Sequence, residues 1–477
     1  MSASDPLTPA ALGDFDAIYA AYAEHVHAPG VVAGVVKGGR LAHLFTHGVA
    51  DIKAGTPVTA DTGFRIASMT KTITALTILM LRDEGRLSLE APASAYVPEL
   101  ADLPPPTADS PAITVRDLLS HTEGFVTDDP WADRAMRMTP AEFSTLLQGG
   151  QLFARAPGVA FEYSNLGYGI LGRVISNLCG KPFQQAITQR ILRPLGMAST
   201  TFDPDAMPDA RRARGYWYRD GAHGEEPPEP DGEIGSMGGI VTTARDYARY
   251  VAFLLDAWPP RDDAETGPVR RATRRELASS HAMPGEARTR TIEGKSLSVA
   301  VAYGYGLATA ADPQLGRVLG HSGGLPGFGS NVIFSPDAGI GLFAFANVTY
   351  ASPEPTNIEA ASALHAHGLW RPRPVAVSDV LHAAAGAVAR AFAAGDLAAC
   401  RAHFAPNLLA DLPLEHRNRL LEGLKVQMGE GRIERIEARH RLAGRIHLAC
   451  ERGAVVCDLA LTPGRDPKIQ VLRFEAG

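Results

Sequence analysis

Two groups of β-rich runs lie far apart in the first 370 residues, and this separation is the feature that most constrains the fold. Two runs, at residues 31–37 and 41–49, are joined by a Gly-Gly pair, which predicts a hairpin. Four more runs lie between residues 299 and 347, and helical patterns fill the interval. The order favours one antiparallel sheet built from distant segments and flanked by helices, with a mostly helical subdomain inserted.

A Pro-rich, charged stretch after residue 370 indicates a domain boundary. The chain has 477 residues, which is more than one ordinary core accommodates, so two domains are expected. We predict a first domain at residues 1–370, a linker at 371–377 and a second domain at 378–477. The second domain reads as a small α+β unit with helices before four strands, an order typical of an NTF2-like or cystatin-like cone.

Composition excludes several classes of protein. The formal net charge is -6 and hydrophobic residues make up 45%, so nothing in the charge suggests a nucleic-acid partner. No apolar run reaches the length of about 18 residues that predicts a membrane span. Residues 1–24 lack the pattern of a secretory signal, so a cytoplasmic location with reduced cysteines is expected. The histidines lack metal-site spacing, and we expect neither a metal nor another cofactor.

A serine and a lysine lie three residues apart near the start of a long apolar segment. Ser68 and Lys71 belong to residues 64–81, where apolar residues recur at helical spacing and predict a buried helix. Their spacing puts both side chains on one helix face. A serine hydroxyl needs a neighbouring base to act as a nucleophile, and burial makes a lysine easier to deprotonate. The pair is a candidate nucleophile and base, although a surface helix start explains such a motif taken alone.

A second candidate motif is Tyr163-Ser164-Asn165, which precedes a predicted helix. A tyrosine hydroxyl can relay a proton, and an asparagine amide can hold a substrate carbonyl or orient a lysine. Helix capping by Ser164 or Asn165 is the simpler explanation of this motif by itself.

A third candidate motif, His321-Ser322-Gly323-Gly324, ends a predicted strand. Two glycines allow a substrate backbone to approach closely, and a backbone N–H there can form half of an oxyanion hole. His321 titrates near neutral pH and can bind a substrate or transfer a proton. An ordinary turn after a strand is the alternative.

Together and in this order, the three motifs resemble those of the serine β-lactamase and penicillin-binding-protein superfamily. The branch they resemble holds class C β-lactamases, D-aminopeptidases and β-lactamase-like carboxylesterases. Residues 68–71 are similar to the family's Ser-x-x-Lys, residues 163–165 to its Tyr-x-Asn, and residues 321–323 stand where it has Lys-Thr-Gly or His-x-Gly. Residues 119–125 and 238–243 resemble two flanking motifs of the same family.

The resemblance covers about residues 14–370 and implies a β-lactamase-like α/β (α+β) fold and acyl transfer through a covalent acyl-enzyme. Ser68 would be the acylated nucleophile, and Lys71 and Tyr163 would share the proton transfers in a division that the motifs leave open. The backbone N–H groups of Ser68 and Gly324 would form the oxyanion hole. The substrate contacts would be Asn165, His321, Ser322 and Gly323.

Two positions depart from the family pattern. Glu123 replaces the usual serine of residues 119–125, a change that we expect to be harmless, with a charge near the expected pocket as the alternative. His321 replaces a lysine, and a mostly neutral imidazole binds a substrate carboxylate less well than an ammonium does. This disfavours β-lactamase and carboxypeptidase activity, and it favours esters, or amides and peptides that lack a carboxylate there.

We therefore predict a cytoplasmic, metal-independent serine hydrolase that acts on a small ester, amide or peptide, with carboxylesterase activity as the leading interpretation. A D-aminopeptidase or amidase, an acyltransferase such as a peptide cyclase, and a non-catalytic binding protein of the same fold are the alternatives. We expect no nucleic-acid or membrane partner, and the sequence leaves open whether the chain forms a homo-oligomer.

Overall fold

The computed structural model describes residues 7–285, 288–292 and 294–477. The first six residues of the segment inspected for a secretory signal lie outside this range. The chain forms two compact units, and the division falls between Pro372 and Arg373. Within the described residues, no helix is both long and apolar enough to cross a membrane.

Most strands of the first unit form one antiparallel sheet, as the sequence predicted. In the described residues its order is β3-β2-β1-β13-β12-β11-β10-β9-β8, with the short pairs β4-β7 and β5-β6 outside it. The strands are β1 Gly30–Lys37, β2 Arg40–Asp51, β3 Thr56–Pro57, β4 Gly63–Arg65, β5 Tyr216–Arg219, β6 Ala222–Glu225, β7 Val241–Thr243, β8 Arg288–Ile292, β9 Lys295–Tyr303, β10 Ala308–Asp312, β11 Gly316–Leu325, β12 Phe328–Ser335 and β13 Ile340–Ala346.

The sheet joins the two distant strand groups through β1 and β13. Val31 of β1 lies opposite Ala346 of β13 on one side and His47 of β2 on the other. Successive residues of β1 belong to two different cores, because side chains alternate between the faces of a strand: Val31 packs in one core and Val32 in the other. Both faces of the sheet are therefore buried at β1.

Helices cover the two faces unequally. α1 and α9 pack with one core, and the larger core on the other face contains α2, α5 and α7. The inserted segment between β4 and β8 is mostly helical, as predicted. The helices are α1 Pro9–His25, α2 Thr70–Asp83, α3 Val115–Ser120, α4 Pro140–Gly149, α5 Asn165–Cys179, α6 Phe183–Ile187, α7 Ala244–Leu255, α8 Arg271–Glu276 and α9 Glu354–Ala366.

Long-range contacts alter several predicted elements. The predicted strand at 299–309 is two strands, β9 and β10, separated by a turn in which Gly306 has φ 70°. A Cβ at Gly306 would lie 2.8 Å from the Lys71 carbonyl oxygen, so this turn is shaped by packing against α2. Residues 221–235 read as a loop from their Gly, Pro and acidic residues, but they contain β6 and end in a buried 3-10 turn. Several elements, among them α8, β8 and the short strands β3, β5 and β7, were not predicted.

The second unit contains helices followed by a four-stranded antiparallel meander, β14-β15-β16-β17. Its apolar core includes Val388, Ile446 and Leu459. The NTF2-like interpretation stays a prediction. The elements are α10 Asp379–Ala394, α11 Pro406–Asp411, α12 Leu414–Met428, β14 Gly431–His440, β15 Ala443–Cys450, β16 Gly453–Leu461 and β17 Ile469–Ala476.

Candidate active site

Ser68 lies on a single 3-10 turn, Ala67–Met69, between β4 and α2. The continuous helix predicted over residues 64–81 is therefore wrong at its start. Phe64 pairs as a strand residue with Thr242 of β7, so the segment enters the turn extended and becomes α-helical only at Thr70. Ala67 has φ 48°, a conformation that costs a residue with a side chain on the order of 1–3 kcal/mol.

Gly323 allows the Ser68 turn to pack directly on β11. A Cβ at Gly323 would lie 2.4 Å from the carbonyl oxygen of Ile66 and 3.0 Å from Cβ of Ala67. Ser330 of β12 also ties the turn to the sheet, because its hydroxyl donates to the same Ile66 oxygen at 2.7 Å. The close approach therefore explains why a glycine stands at this place.

Lys71 is fully buried behind Ser68. Its Nζ lies 3.0 Å from Ser68 Oγ, 2.7 Å from Asn165 Oδ1 and 3.0 Å from the carbonyl oxygen of Met237. Burial lowers the pKa of Lys71 to about 8, against the opposing attraction of nearby aspartates. A neutral amine has two hydrogens and one lone pair, so the two carbonyl-type oxygens accept the hydrogens and the lone pair faces the Ser68 hydroxyl.

Tyr163 lies beside the same pair. Its hydroxyl hydrogen-bonds with Ser68, and Lys71 Nζ lies 4.9 Å from the centre of its ring. Burial raises the pKa of the Tyr163 phenol well above its ordinary value, and the bond to Ser68 only partly opposes this. At neutral pH the phenol keeps its proton, whereas Lys71 can lose one. This difference indicates which of the two groups is the better base.

The start of α5 frees the Asn165 side chain for the site. Ser164 caps the helix by accepting the Gly167 N–H, and the Asp128 carboxylate accepts the N–H groups of Asn165 and Leu166 at 2.7 and 2.8 Å. Capping therefore involves Ser164, and the Asn165 amide binds Lys71 with its oxygen and Asp129 with its nitrogen.

His321 is a neutral hydrogen-bonding residue in this site. Its Nδ1 lies 2.6 Å from the Ser322 carbonyl oxygen and its Nε2 lies 2.9 Å from the Tyr303 hydroxyl. A carbonyl oxygen only accepts, so we assign the ring hydrogen to Nδ1. Burial lowers the pKa of His321 to about 3, with Lys71 as a second cause, so His321 carries no charge at neutral pH.

A cavity of about 860 Å³ opens onto Ser68, a volume typical of sites that bind small organic ligands. Lys71 and Asn165 lie behind its wall. The sequence-predicted residues that line it are Ser68, Tyr163, His321, Ser322, Gly323 and Gly324. The Ser322 hydroxyl is already engaged, since it donates to Glu354 on α9 at 2.9 Å.

Two carboxyl groups that the sequence did not single out line the cavity near Ser68. Asp129 binds the Asn165 amide, and Asp133 accepts from the Tyr350 hydroxyl at 2.9 Å. Burial and the neighbouring Asp129 raise the pKa of Asp133 to about 6. Both lie in the segment between α3 and α4, Asp133 on a 3-10 turn at Ala132–Arg134. This segment has no recognisable motif, so only its packing onto the start of α5 reveals the two residues.

Glu123 brings no charge to the cavity. It is fully buried beside Gly167, it does not line the cavity, and neither carboxyl oxygen has a hydrogen-bond partner among the described residues. Burial raises the pKa of Glu123 well above its ordinary value, so the side chain is protonated in the folded protein.

Replacing Glu123 with glutamine is expected to stabilise the protein more at pH 8 than at pH 5. In the folded protein the Glu123 carboxyl keeps its proton at pH values above the pKa of the same carboxyl in the unfolded chain. The wild-type free energy of unfolding therefore falls as pH rises from the unfolded pKa towards the folded pKa, by up to about 1.4 kcal/mol per pH unit. Glutamine does not titrate and removes this loss. Urea unfolding of wild type, Glu123→Gln and the exposed control Glu24→Gln at both pH values measures the effect. An equal stability difference at both pH values would contradict the prediction.

Groups suited to a metal ion are absent from the part of the chain that the structure describes: no three His, Cys, Asp or Glu side chains are placed to hold one.

Comparisons with known proteins place this geometry in a family. The Beta-lactamase family model matches residues 15–366. Protein flp of Staphylococcus aureus (strain MW2) is 28% identical over 326 residues, which are 68% of this chain and 60% of that protein, so the chain spans less than two thirds of its length. Uncharacterized protein MT1414 of Mycobacterium tuberculosis is 30% identical over 332 residues, which are 63% of this chain and 79% of that protein.

A solved structure shares the fold. The octameric penicillin-binding protein homologue from Pyrococcus abyssi aligns with a TM-score of 0.64 at 20% identity, over 97% of this chain and 99% of that one. The family model covers most of the chain and the resemblance seen in its motifs is borne out, so this protein belongs to the beta-lactamase family.

Proposed function

We propose that the protein is a serine hydrolase that cleaves an ester through an acyl-enzyme on Ser68, with Lys71 as the base. Membership of the beta-lactamase family supports serine hydrolase activity in general. The observation that carries the proposal is the buried amine of Lys71, with its pKa lowered to about 8, placed 3.0 Å from the Ser68 hydroxyl at the wall of an open cavity.

Acylation begins when Lys71 takes the Ser68 proton and Ser68 Oγ bonds to the carbonyl carbon of the ester. The N–H groups of Ser68 and Gly324, both residues of the cavity wall, would stabilise the oxyanion. The proton then passes from Lys71 to the departing alcohol oxygen through Tyr163, whose phenol is protonated and bonds to Ser68. In the second half, Lys71 takes a proton from a water molecule whose oxygen bonds to the acyl carbon. The bond between Ser68 Oγ and that carbon then breaks, the proton returns to Oγ, and the carboxylic acid leaves.

The charges near Ser68 support an ester without a carboxylate. His321 is neutral where a lysine would bind a substrate carboxylate, and Asp129 and Asp133 repel one. The same two aspartates favour a second candidate function. A substrate ammonium would be attracted to them, which suits a D-aminopeptidase that binds the free amino group of a peptide or amide.

Intact-protein mass spectrometry tests the proposal. The protein is incubated briefly with p-nitrophenyl butyrate, benzylpenicillin or D-alanine amide, and product release is followed in parallel. A butyryl adduct or rapid release of p-nitrophenol supports the esterase, whereas turnover confined to D-alanine amide supports the aminopeptidase. Transfer of the acyl group to an added amine identifies an acyltransferase. No adduct and no turnover with any of the three overturns the proposal in favour of a binding protein.

Two further expectations remain proposals. The Pyrococcus abyssi homologue is octameric, which supports a homo-oligomer for this chain without assigning the number of subunits. The cytoplasmic location stays a prediction.

A further inference from the structure

The cavity extends well beyond Ser68, along one face of the sheet. Two rows of directly opposed residues on β9, β10, β11 and β12 line this extension, and opposed residues point to the same face. One row is Val301, Ala310 and Val318, and the neighbouring row is Ala308, Gly320 and Ile333.

The middle of these rows is open because its residues are small. Ala308, Ala310 and Gly320 occupy the centre, whereas larger apolar side chains stand at the ends. In a sheet face packed against a helix, positions of this kind ordinarily hold Val, Ile or Leu. Small residues here leave a groove whose floor is apolar.

Helix α9 and strand β8 enclose the groove. Ile358 and Pro355 of α9 line it, and Arg288 and Arg290 of β8 lie along its rim. Both arginines are ion-paired: Arg288 with Glu354, and Arg290 with Asp312, each at 2.5 Å. Among the described residues of the rim, the charges of these two ion pairs therefore compensate each other, so neither arginine is an unpaired cation for an anionic ligand.

The groove reaches Ser68 around the end of β10. The β10–β11 ladder ends at the pair Ala308–Gly320, and beyond it the backbone edge of residues 321–324 is open in the described part of the chain. At this point the cavity contacts both faces of β11. Gly323 lines it on the face towards the Ser68 turn, and Gly320 lines it on the opposite face. A substrate bonded to Ser68 can therefore extend past this edge into the groove.

We propose that this groove, lined by Val299, Val301, Ala308, Ala310, Val318 and Ile333 and called here the apolar channel, binds an extended hydrocarbon chain of the substrate. The inference rests on the proposed function and names its substrate class: neutral esters with a chain of several carbons, on the acyl or the alcohol side. Burial of each methylene favours binding by about threefold to fourfold, so specificity should rise steeply with chain length.

Chain-length series on each side of the ester test the proposal. One series is p-nitrophenyl acetate, butyrate, hexanoate and octanoate, and the other is methyl, butyl and octyl acetate. We expect kcat/KM to rise by about threefold per methylene in the series whose chain enters the channel. Ala310→Leu fills the channel, so it should flatten that rise.

Ala311→Leu is the matched control, because Ala311 is the next residue of the same strand, exposed and outside the cavity. It should keep the wild-type chain-length dependence. Acetate turnover that needs Ser68, with no chain-length dependence in either series, would overturn the channel and leave the hydrolase intact. Equal behaviour of the two leucine variants would overturn it as well.

A binding measurement separates the channel from catalysis. Calorimetric titration of Ser68→Ala protein with 1-octanol and 1-butanol should show octanol binding tighter by on the order of a hundredfold, and Ala310→Leu in the same background should remove this preference. Equal affinities for the two alcohols would refute the channel. If the wild-type enzyme hydrolyses none of the esters, the proposed function fails and this titration alone decides the channel.

Discussion

Replacing Ser68 with alanine is expected to lower kcat for ester hydrolysis by at least about a thousandfold and to abolish the acyl adduct. The hydroxyl lies against both groups that can handle its proton, Lys71 at 3.0 Å and Tyr163, and it is the atom that would bond to the acyl carbon. Without it, only attack by water remains, assisted by binding and by the oxyanion N–H groups. Stopped-flow release of p-nitrophenol and intact mass measure both effects.

Ser352→Ala provides the control for that variant. Ser352 also lines the cavity, and it is exposed. Loss of the Ser352 hydroxyl should leave kcat within about twofold of the wild-type value, because an exposed serine away from Lys71 has no base to activate it. Residual activity of Ser68→Ala within tenfold of wild type would rule out the serine mechanism.

Replacing Lys71 with methionine is expected to reduce kcat by about a thousandfold or more while the protein still folds. Methionine has a similar length and adapts to a buried site, so it removes the amine with little change in packing. The oxygens of Asn165 and Met237 lose a donor, which costs about 1–3 kcal/mol each, and removal of a buried polar amine offsets part of that cost. Kinetics and thermal unfolding on the same samples separate the two effects.

The pH profile distinguishes a base from a merely structural lysine. A base acts when it is unprotonated, so wild-type kcat/KM should rise with pH and level off above the Lys71 pKa of about 8. At pH 7 only roughly one tenth of the enzyme holds the neutral amine. Lys71→Met should lose this rise, and the exposed control Lys181→Met should retain it. A rise that survives in Lys71→Met would assign the base role to another group.

Local pattern was enough to predict the elements whose cause lies within a few residues. The β1–β2 hairpin follows from its Gly-Gly turn, and the capping box of Thr114 and Asp117 starts α3. The end of α3 involves a distant segment: the C-cap residue His121 has φ 58°, and its ring accepts the N–H of Ser164.

The sequence by itself determined that strands from two distant parts of the chain form one antiparallel sheet. It also determined the motif residues and their spacing, because strand periodicity and residue chemistry are local properties. Tertiary structure alone decided which of those residues meet and in what protonation state. Burial makes the Lys71 amine easy to deprotonate and keeps Tyr163, His321 and Glu123 uncharged. The aspartates beside Ser68 and the apolar channel likewise exist only because loops and strand registers from separate parts of the chain bring small and acidic residues to one cavity. Desolvation and shape are properties of the whole packed molecule, which no single stretch of sequence encodes.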